Sequence, residues 1–480
     1  MASMMDRLSD VEWATYLSRN HDAELPQLIA LNNYYEGEQP LKYLHPELQK
    51  ELGEQMTQLI INWPRLVVDS LEERLDVEGF RYPDAEEGDK ELWRIWQANG
   101  MPVKSQQAEV DSMVMKRSFF VVGTNEKQAD TPLVTAESPL QMYADFDPAT
   151  REIRAVLRRW NDIDPMTGAL LQRHATLYRP NSTVWYDSGA PGTWKETDRD
   201  DHGLGDPPVV VMPNRPRLLL PGGVSELADV LPISDAACKI ATDMMVGSEF
   251  HAMPRRWALG FDKNDFVDKD GKPLSVWSRL AGRIWATART RKDDGAEVGQ
   301  FPESDLKNFH STIELLARIV ASLGALPPNY LGLVADDAAS ADAIRSREAR
   351  LVKRAERKTT PSGGAYGRLN KLIVRVRDGE WDRSLDGLET MWRDPATPTF
   401  AQKADAIMKL VQAGILPIEQ AWEDLGYTSG QKARMRQMMD DQANRLSMAD
   451  LHALTMVPPT PDPNAPAPQP AQQPALSAAA

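Results

Sequence analysis

The 480-residue chain has a single cysteine, Cys238. One thiol closes no disulfide within the chain and cannot build a zinc site of several cysteines. The sequence therefore suits a reducing compartment, and Cys238 reads as a small apolar residue buried in a helix. Long hydrophobic runs are also missing. No stretch of about 18 apolar residues occurs, so no transmembrane helix is expected. The opening MASMMDRLSDVEWATYLSRN lacks a basic segment followed by an apolar one, so it is not read as a signal peptide. Positive charge is in deficit: 55 Lys and Arg stand against 70 Asp and Glu, a net charge of -15. A protein that grips nucleic acid by blanket phosphate neutralisation is basic, so any DNA contact here must be local or weak.

Signatures of catalysis are missing as well. There is no phosphate-cradling glycine loop ending in Lys-Ser/Thr and no metalloprotease His-Glu pattern. The segment Gly222-Gly223-Val224-Ser225-Glu226 spaces its glycines wrongly for a nucleophile elbow. The seven histidines are scattered and read as surface or cap residues, since a metal cage needs convergent ligands. The acidic pairs Asp293–Asp294 and Asp336–Asp337 lack a third ligand nearby in sequence. No cofactor is expected.

What is present is 42% hydrophobic residues, enough for ordinary cores, and the length suits about two to four domains or one elongated multi-part subunit. Residues 1–80 read as helix, with Met56, Leu59, Ile60, Trp63, Val67, Leu71 and Leu75 on one face and a kink or break at Pro64. A short helix is expected at Glu91–Ala98. From about 110 to 215 the pattern turns to strand: Ser118–Gly123, Ala155–Trp160, Ala175–Tyr178 and Thr183–Tyr186, separated by turn residues, predict a small antiparallel sheet. Trp160, Trp185 and Trp194 read as core or edge packing within it. Pro207–Leu220 reads as extended. A helix follows over about 225–251, with Ser234 as its N-cap and Ala237, Ile240, Ala241, Met244 and Met245 as its apolar stripe. Residues 252–300 read as a compact α+β insertion, with one strand near Arg283–Ala288.

Pro302–Gly324 gives the cleanest helical signal. Glu303 and Asp305 occupy its first turn, and Leu306, Phe309, Ile313, Leu316, Val320 and Leu323 form a heptad-like seam suited to helix pairing. Gly324 and Pro327–Pro328 stop it. A small-residue loop, Asn329–Ser340, leads to a helix from about Ser340 to Lys358. Pro361–Gly364 should interrupt this helix before it resumes over Tyr366–Arg377. That region is basic: Arg345, Arg347, Arg350, Lys353, Arg354, Arg357, Lys358, Arg368, Lys371, Arg375 and Arg377 are opposed only by Glu348 and Glu356. Two readings stay open, a face pairing with a neighbour's carboxylates and a contact with a polyanion such as DNA. Residues 400–450 give two or three amphipathic helices, and 457–480, rich in Pro and Ala, should be a disordered tail. The fold class is α+β, mainly α.

The order of parts resembles the portal proteins of long-tailed double-stranded-DNA bacteriophages, in particular the branch seen in phages of actinobacteria. Leu31–Leu44 (LNNYYEGEQPLKYL), Asn62–Phe80 (NWPRLVVDSLEERLDVEGF), the helix pair around 252–301 and Ser340–Arg357 (SADAIRSREARLVKRAER) carry the likeness. The resemblance implies an elongated subunit with wing, stem, clip and crown, assembling into a ring of typically twelve copies around a DNA channel. It implies a wing at 1–223, stem helices at 224–251 and 302–325, a clip at 252–301 and a tunnel loop at 326–340. The long basic helix, 341–397, would return to the wing, a crown would occupy 398–450 and a free tail 451–480. Asn329, Gly332, Ala335, Asp336, Asp337 and Ser340 become candidates to face DNA. The implied partners are further copies of the chain, the terminase motor, the head–tail adaptor, major capsid and scaffolding proteins, and double-stranded DNA held weakly, with no membrane. The implied setting is the portal vertex of the virion, after assembly in the host cytoplasm. Two other readings remain, a head-assembly protein without a channel and a carbohydrate-active enzyme.

Overall fold

The computed structural model describes residues 7–40, 59–189, 193–252, 256–259, 297–300, 307–333, 341–396, 400–427 and 430–442. The chain separates into two units, Met1–Ala396 and Thr397–Ala480.

The first unit opens with α1 (Asp10–Glu36), begun by a capping box between Ser9 and Glu12 and ended at Gly37. α2 (Trp63–Glu72) starts with Pro64 in its first turn, where the missing N–H is not needed, and Asn62 caps it. Pro64 thus begins a helix. The helical reading of residues 1–80 also fails at its end, because β1 (Val77–Arg81) is a strand paired with β12 (Glu389–Trp392). α3 (Lys90–Ala98) forms as expected, capped by Asp89, and α4 (Met101–Met115) follows.

The single small sheet expected at 110–215 is two sheets. β2 (Arg117–Gly123), β3 (Leu133–Glu137) and β9 (Val209–Pro213) form one, in the order β3-β2-β9. β4 (Met142–Phe146), β5 (Ile153–Ile163), β6 (Leu170–Tyr178), β7 (Thr183–Ser188) and β8 (Lys195–Asp200) form an antiparallel meander. Side chains alternate across a strand, and here both faces of the meander are used. Ala155, Leu157, Ala175, Leu177, Val184 and Tyr186 pack under Trp13, Ala14 and Leu17 of α1. Met142, Ala144, Val156 and Tyr178 face Phe119 and Val209 of the other sheet. The charged, exposed β8 (KETDRD) blunts the edge against pairing with another chain.

Trp160, Trp185 and Trp194 are half-buried. Trp160 stacks on His174 at 5.2 Å, and Trp194 packs beside the α1 cluster. His21 departs from the surface reading of the histidines. It is buried, with Nε2 2.9 Å from the Pro139 carbonyl and Nδ1 2.7 Å from Arg159. Burial, reinforced by the Arg159 charge, pushes its pKa down to about 4.

Two larger cores flank a long helix, α7 (Ala341–Asp378). Leu351 and Ala355 enter the helical core with α1, α2 and α4. Ala365, Tyr366, Leu369, Leu372 and Ile373 enter the core built on β1, α3 and the three-stranded sheet. The expected interruption at Pro361–Gly364 does not occur; the helix runs through it. An internal proline removes one hydrogen bond at a cost of about 3 kcal/mol, and burial on both sides of Pro361 offsets it. The small residues there serve packing: Thr390 donates to the Gly363 carbonyl at 3.3 Å, and Trp392 lies against Gly363.

The second unit contains α8 (Phe400–Gln412), α9 (Ile418–Asp424) and a helical stretch at 430–442, α10. The tail expected at 457–480 lies outside the described residues.

Candidate stem and tunnel-loop site

α5 (Leu231–Ala252) begins three residues before the expected Ser234 cap. Pro232 falls in its first turn, where it is tolerated. Ser234 is buried and donates to the Ile61 carbonyl at 3.3 Å. Ala237, Cys238 and Ala241 are buried, and Met245 is exposed. Cys238 accepts the Ile61 N–H at 3.3 Å, and burial raises its pKa, as suits an inert thiol.

α5 leads into β10 (Arg256–Leu259), and β11 (Glu297–Gln300) leads back to α6 (Lys307–Gly324). β10 and β11 pair antiparallel, and α5 packs against α6. Two helices separated in sequence are thus clamped side by side at the neck of the insertion. Most of that insertion, including the strand expected near Arg283–Ala288 and the pair Asp293–Asp294, lies outside the described residues.

The buried face of α6 is Ala317, Val320, Ala321 and Gly324. Ile313 and Leu316 pack at its margin, and Phe309 is half-buried. Leu323 stands 44% exposed in the single chain, so the heptad seam and the intrachain face share only part of their residues. Small residues bring the helix close: a Cβ on Gly324 would lie 3.1 Å from Val67. Leu306, Glu303 and Asp305 lie outside the described residues.

Beyond α6, Pro328–Leu331 forms one turn of 3-10 helix ended by Gly332 at φ +71. This part of the expected loop is anchored. Tyr330, Leu331 and Leu333 pack on the helical core, and the Tyr330 hydroxyl accepts from Arg74 at 3.2 Å. Asn329 and Gly332 are exposed. Ala335, Asp336, Asp337 and Ser340 lie outside the described residues.

The basic helix spends much of its charge inside its own chain, which neither open reading anticipated. Arg350 donates to the Ser322 carbonyl at 2.7 Å, and Arg354 donates to the Gly324 carbonyl and to Glu226. Those carbonyls are the unpaired last acceptors of α6, where a cation also meets the negative end of the helix dipole. Burial, with the Arg215 guanidinium behind it, lowers the Arg354 pKa to about 10, so it remains charged at neutral pH. Lys353 pairs with Glu356 at 2.6 Å. Arg347 and Arg357 are exposed, with no ion-pair partner among the described residues. Arg345 lies on the helix, but its side chain is outside the described part.

Sequence reasoning missed the polar network behind these contacts. Lys358 is buried and reaches Ser112 and Asn214 at 3.0 Å each and Glu109 at 3.2 Å. Burial drives its pKa down while Glu109 opposes the shift. Glu109 also accepts from Tyr366 at 3.2 Å, and Asn214 donates to Glu226 at 3.0 Å. A polar chain Tyr366–Glu109–Lys358–Asn214–Glu226–Arg354 therefore ties α4 and α7 to the end of α6. Among the described residues, no three His, Cys, Asp or Glu side chains converge as a metal cage, and no helix is long and apolar enough to cross a membrane.

Residues 15–447 match the family model for phage portal proteins, SPP1 Gp6-like. The chain belongs to that family, and phage portal function comes with the membership. It is 36% identical over 425 residues to the portal protein of Mycobacterium phage D29, covering 86% of this chain and 84% of that one. Against the portal protein of Mycobacterium phage L5 it is 34% identical over 459 residues, covering 92% of each. Among solved structures it is similar to a chain from the neck of a native GTA particle computed with C12 symmetry, with a TM-score of 0.41 at 14% identity over 76% of this chain and 89% of that one. A chain from the neck of an empty GTA particle computed with C6 symmetry gives 0.44 at 13% identity, with the same coverage. The family assignment rests on the sequence matches.

Proposed function

We propose that the chain is one subunit of a closed ring at a capsid vertex, with α5 and α6 lining a channel for double-stranded DNA. The observation that carries this reading is the helix pair clamped at the neck of an insertion, in a member of the portal family. The insertion would be the clip that docks the packaging motor and later the head–tail adaptor. The wing would be built from residues 1–223 and the C-terminal half of α7, and the helices after 398 would form the crown. The role is structural and not catalytic. Asn329–Ser340 would border the channel, with Asn329, Gly332, Ala335, Asp336, Asp337 and Ser340 facing the passing DNA.

The net charge of -15 suits this role. Each 1.4 kcal/mol of added attraction is about a tenfold gain in affinity, so a strongly basic wall would hold DNA that has to slide. The test is deletion of residues 335–339. Rings should still assemble, while DNA packaging into heads falls by at least tenfold. Packaging at the wild-type rate would remove the loop from the channel; loss of the rings would make it an assembly element.

A further inference from the structure

We propose that two apolar tips at opposite ends of β5 mate between neighbouring copies, one tip of each subunit meeting the other tip of the next. The inference rests on the ring reading and gives the ring a direction.

The first tip is residues 215–222, between β9 and α5. Leu218 is 85% exposed, Leu219 is 89% exposed and Leu220 is exposed too. Its backbone is firmly held. Arg217 and Leu220 exchange backbone hydrogen bonds at 3.1 and 2.9 Å, and Arg151 donates to the Leu218 carbonyl. At its base Asn214 is buried in the polar network. Gly223 sits there at φ +89, and a Cβ on it would fall 2.2 Å from the Lys116 carbonyl. A fixed backbone thus presents three consecutive leucines to water, an apolar surface that burial against a partner would stabilise. Contiguous apolar exposure of this kind marks a contact surface.

The second tip is the β5–β6 turn. Met166 is 90% exposed and Leu171 is 65% exposed, with Ile163 and Leu170 exposed beside them. This turn is also ordered. Asp164 accepts from the Met166 N–H at 2.8 Å and from the Thr167 hydroxyl at 2.6 Å, and its own N–H donates to Ala169 at 2.9 Å.

The two tips differ in charge. The first carries Arg215 and Arg217 and leans on Arg151; the second carries Asp162 and Asp164. Arg217 has no side-chain partner among the described residues. Arg215 faces Asp229 at 3.3 Å, and Asp162 faces His174 at 2.9 Å. Basic leucines against acidic aliphatics is a complementary pair, whereas either tip against itself would set like charges together.

Position decides who the partner is. Arg151 lies in the turn just before β5 and the second tip begins at the far end of that 11-residue strand, so they stand roughly 35 Å apart at a rise of about 3.3 Å per residue. The tips cannot meet within one chain. Complementary surfaces at opposite ends of one element make a head-to-tail interface, the kind that closes into a ring. The occupant of each tip is therefore a second copy of this chain.

The test uses full-length chain. Leu219→Cys and Met166→Cys chains are co-expressed, purified as rings and treated with a short bismaleimide, with native mass spectrometry reporting assembly. Cys238 is buried, and the wild type controls for it. Crosslinked pairs joining one chain of each kind are expected, and neither variant alone should crosslink to itself. A chain carrying both substitutions should give a ladder of covalent oligomers. Intact rings without mixed crosslinks would overturn the proposal, as would Leu219→Cys chains joined to each other. Monomers throughout, wild type included, would instead defeat the ring reading and this inference with it. As a second measure, Leu218→Ser with Leu219→Ser should raise the concentration needed for assembly at least tenfold, with the unfolding midpoint unchanged. Unaltered assembly would hand the tips to another head component and overturn the proposal.

Discussion

The residues before and after Ala396 bury their apolar side chains to very different degrees. Among the described residues, the first unit holds four clusters of buried side chains and a polar network that ties its helices together. In the second, Ile407 and Ala421 are the buried hydrophobics among the described residues, while Met408, Leu410, Ile415, Ile418, Met438 and Met439 are exposed. Short amphipathic helices are marginal in water until something covers their apolar stripe. The first unit buries an apolar interior; the described part of the second leaves most of its large apolar side chains in water.

The strongest way to break this contrast is at Lys358. Lys358→Met leaves the buried Glu109 with its Tyr366 donor but without its cation, and should lower unfolding stability by about 3–5 kcal/mol in denaturant titrations. A loss below about 1 kcal/mol would mean that the network does not hold the first unit together.

A change of pH probes the same unit. The folded-state pKa of His21 lies below its unfolded value, so its contribution is fully present above about 6.5 and is lost as pH falls towards 4. Wild type should lose about 3 kcal/mol over that window relative to His21→Gln. Glu72, raised to about 7 by burial and then by the Glu109 charge, shifts the balance in the opposite direction. It is common to both chains and cancels in the difference. Parallel pH profiles would contradict the buried neutral imidazole.

Arg354→Ala should cost about 2–3 kcal/mol, because Glu226 is buried and two groups lose their donor. Arg354→Lys should recover only part of that, since one ammonium cannot span both acceptors. Full stability in the alanine variant would return the basic helix to the intersubunit reading.

The smallest effect belongs to the second unit. Ile415→Ser, at an exposed position, should leave the unfolding free energy of the first unit unchanged to within about 0.5 kcal/mol. A larger shift would join the two units energetically and blur the comparison.

Where local pattern and tertiary packing agree, the sequence was readable. α3 follows from the spacing of Leu92, Ile95 and Trp96, and the end of α6 follows from Gly324 and the prolines after it. β8 was not readable, because an all-exposed edge strand has no alternation and is a strand only through its pairing with β7. The continuity of α7 was hidden because Pro361 and the glycines signal a break locally, and only the cores around them decide otherwise. At the site, the two helices were visible in their apolar spacing and the insertion between them in its change of composition. The partners of the basic helix were not: Glu226 lies 128 residues from Arg354, and no single-sequence pattern links residues so far apart.

The most direct test of the central claim is negative-stain electron microscopy of the purified full-length chain across a range of concentrations. End-on views should show closed rings of uniform size with a central hole. Monomers at every concentration, or open strings of varying length, would contradict a channel built by copies of α5 and α6 standing side by side.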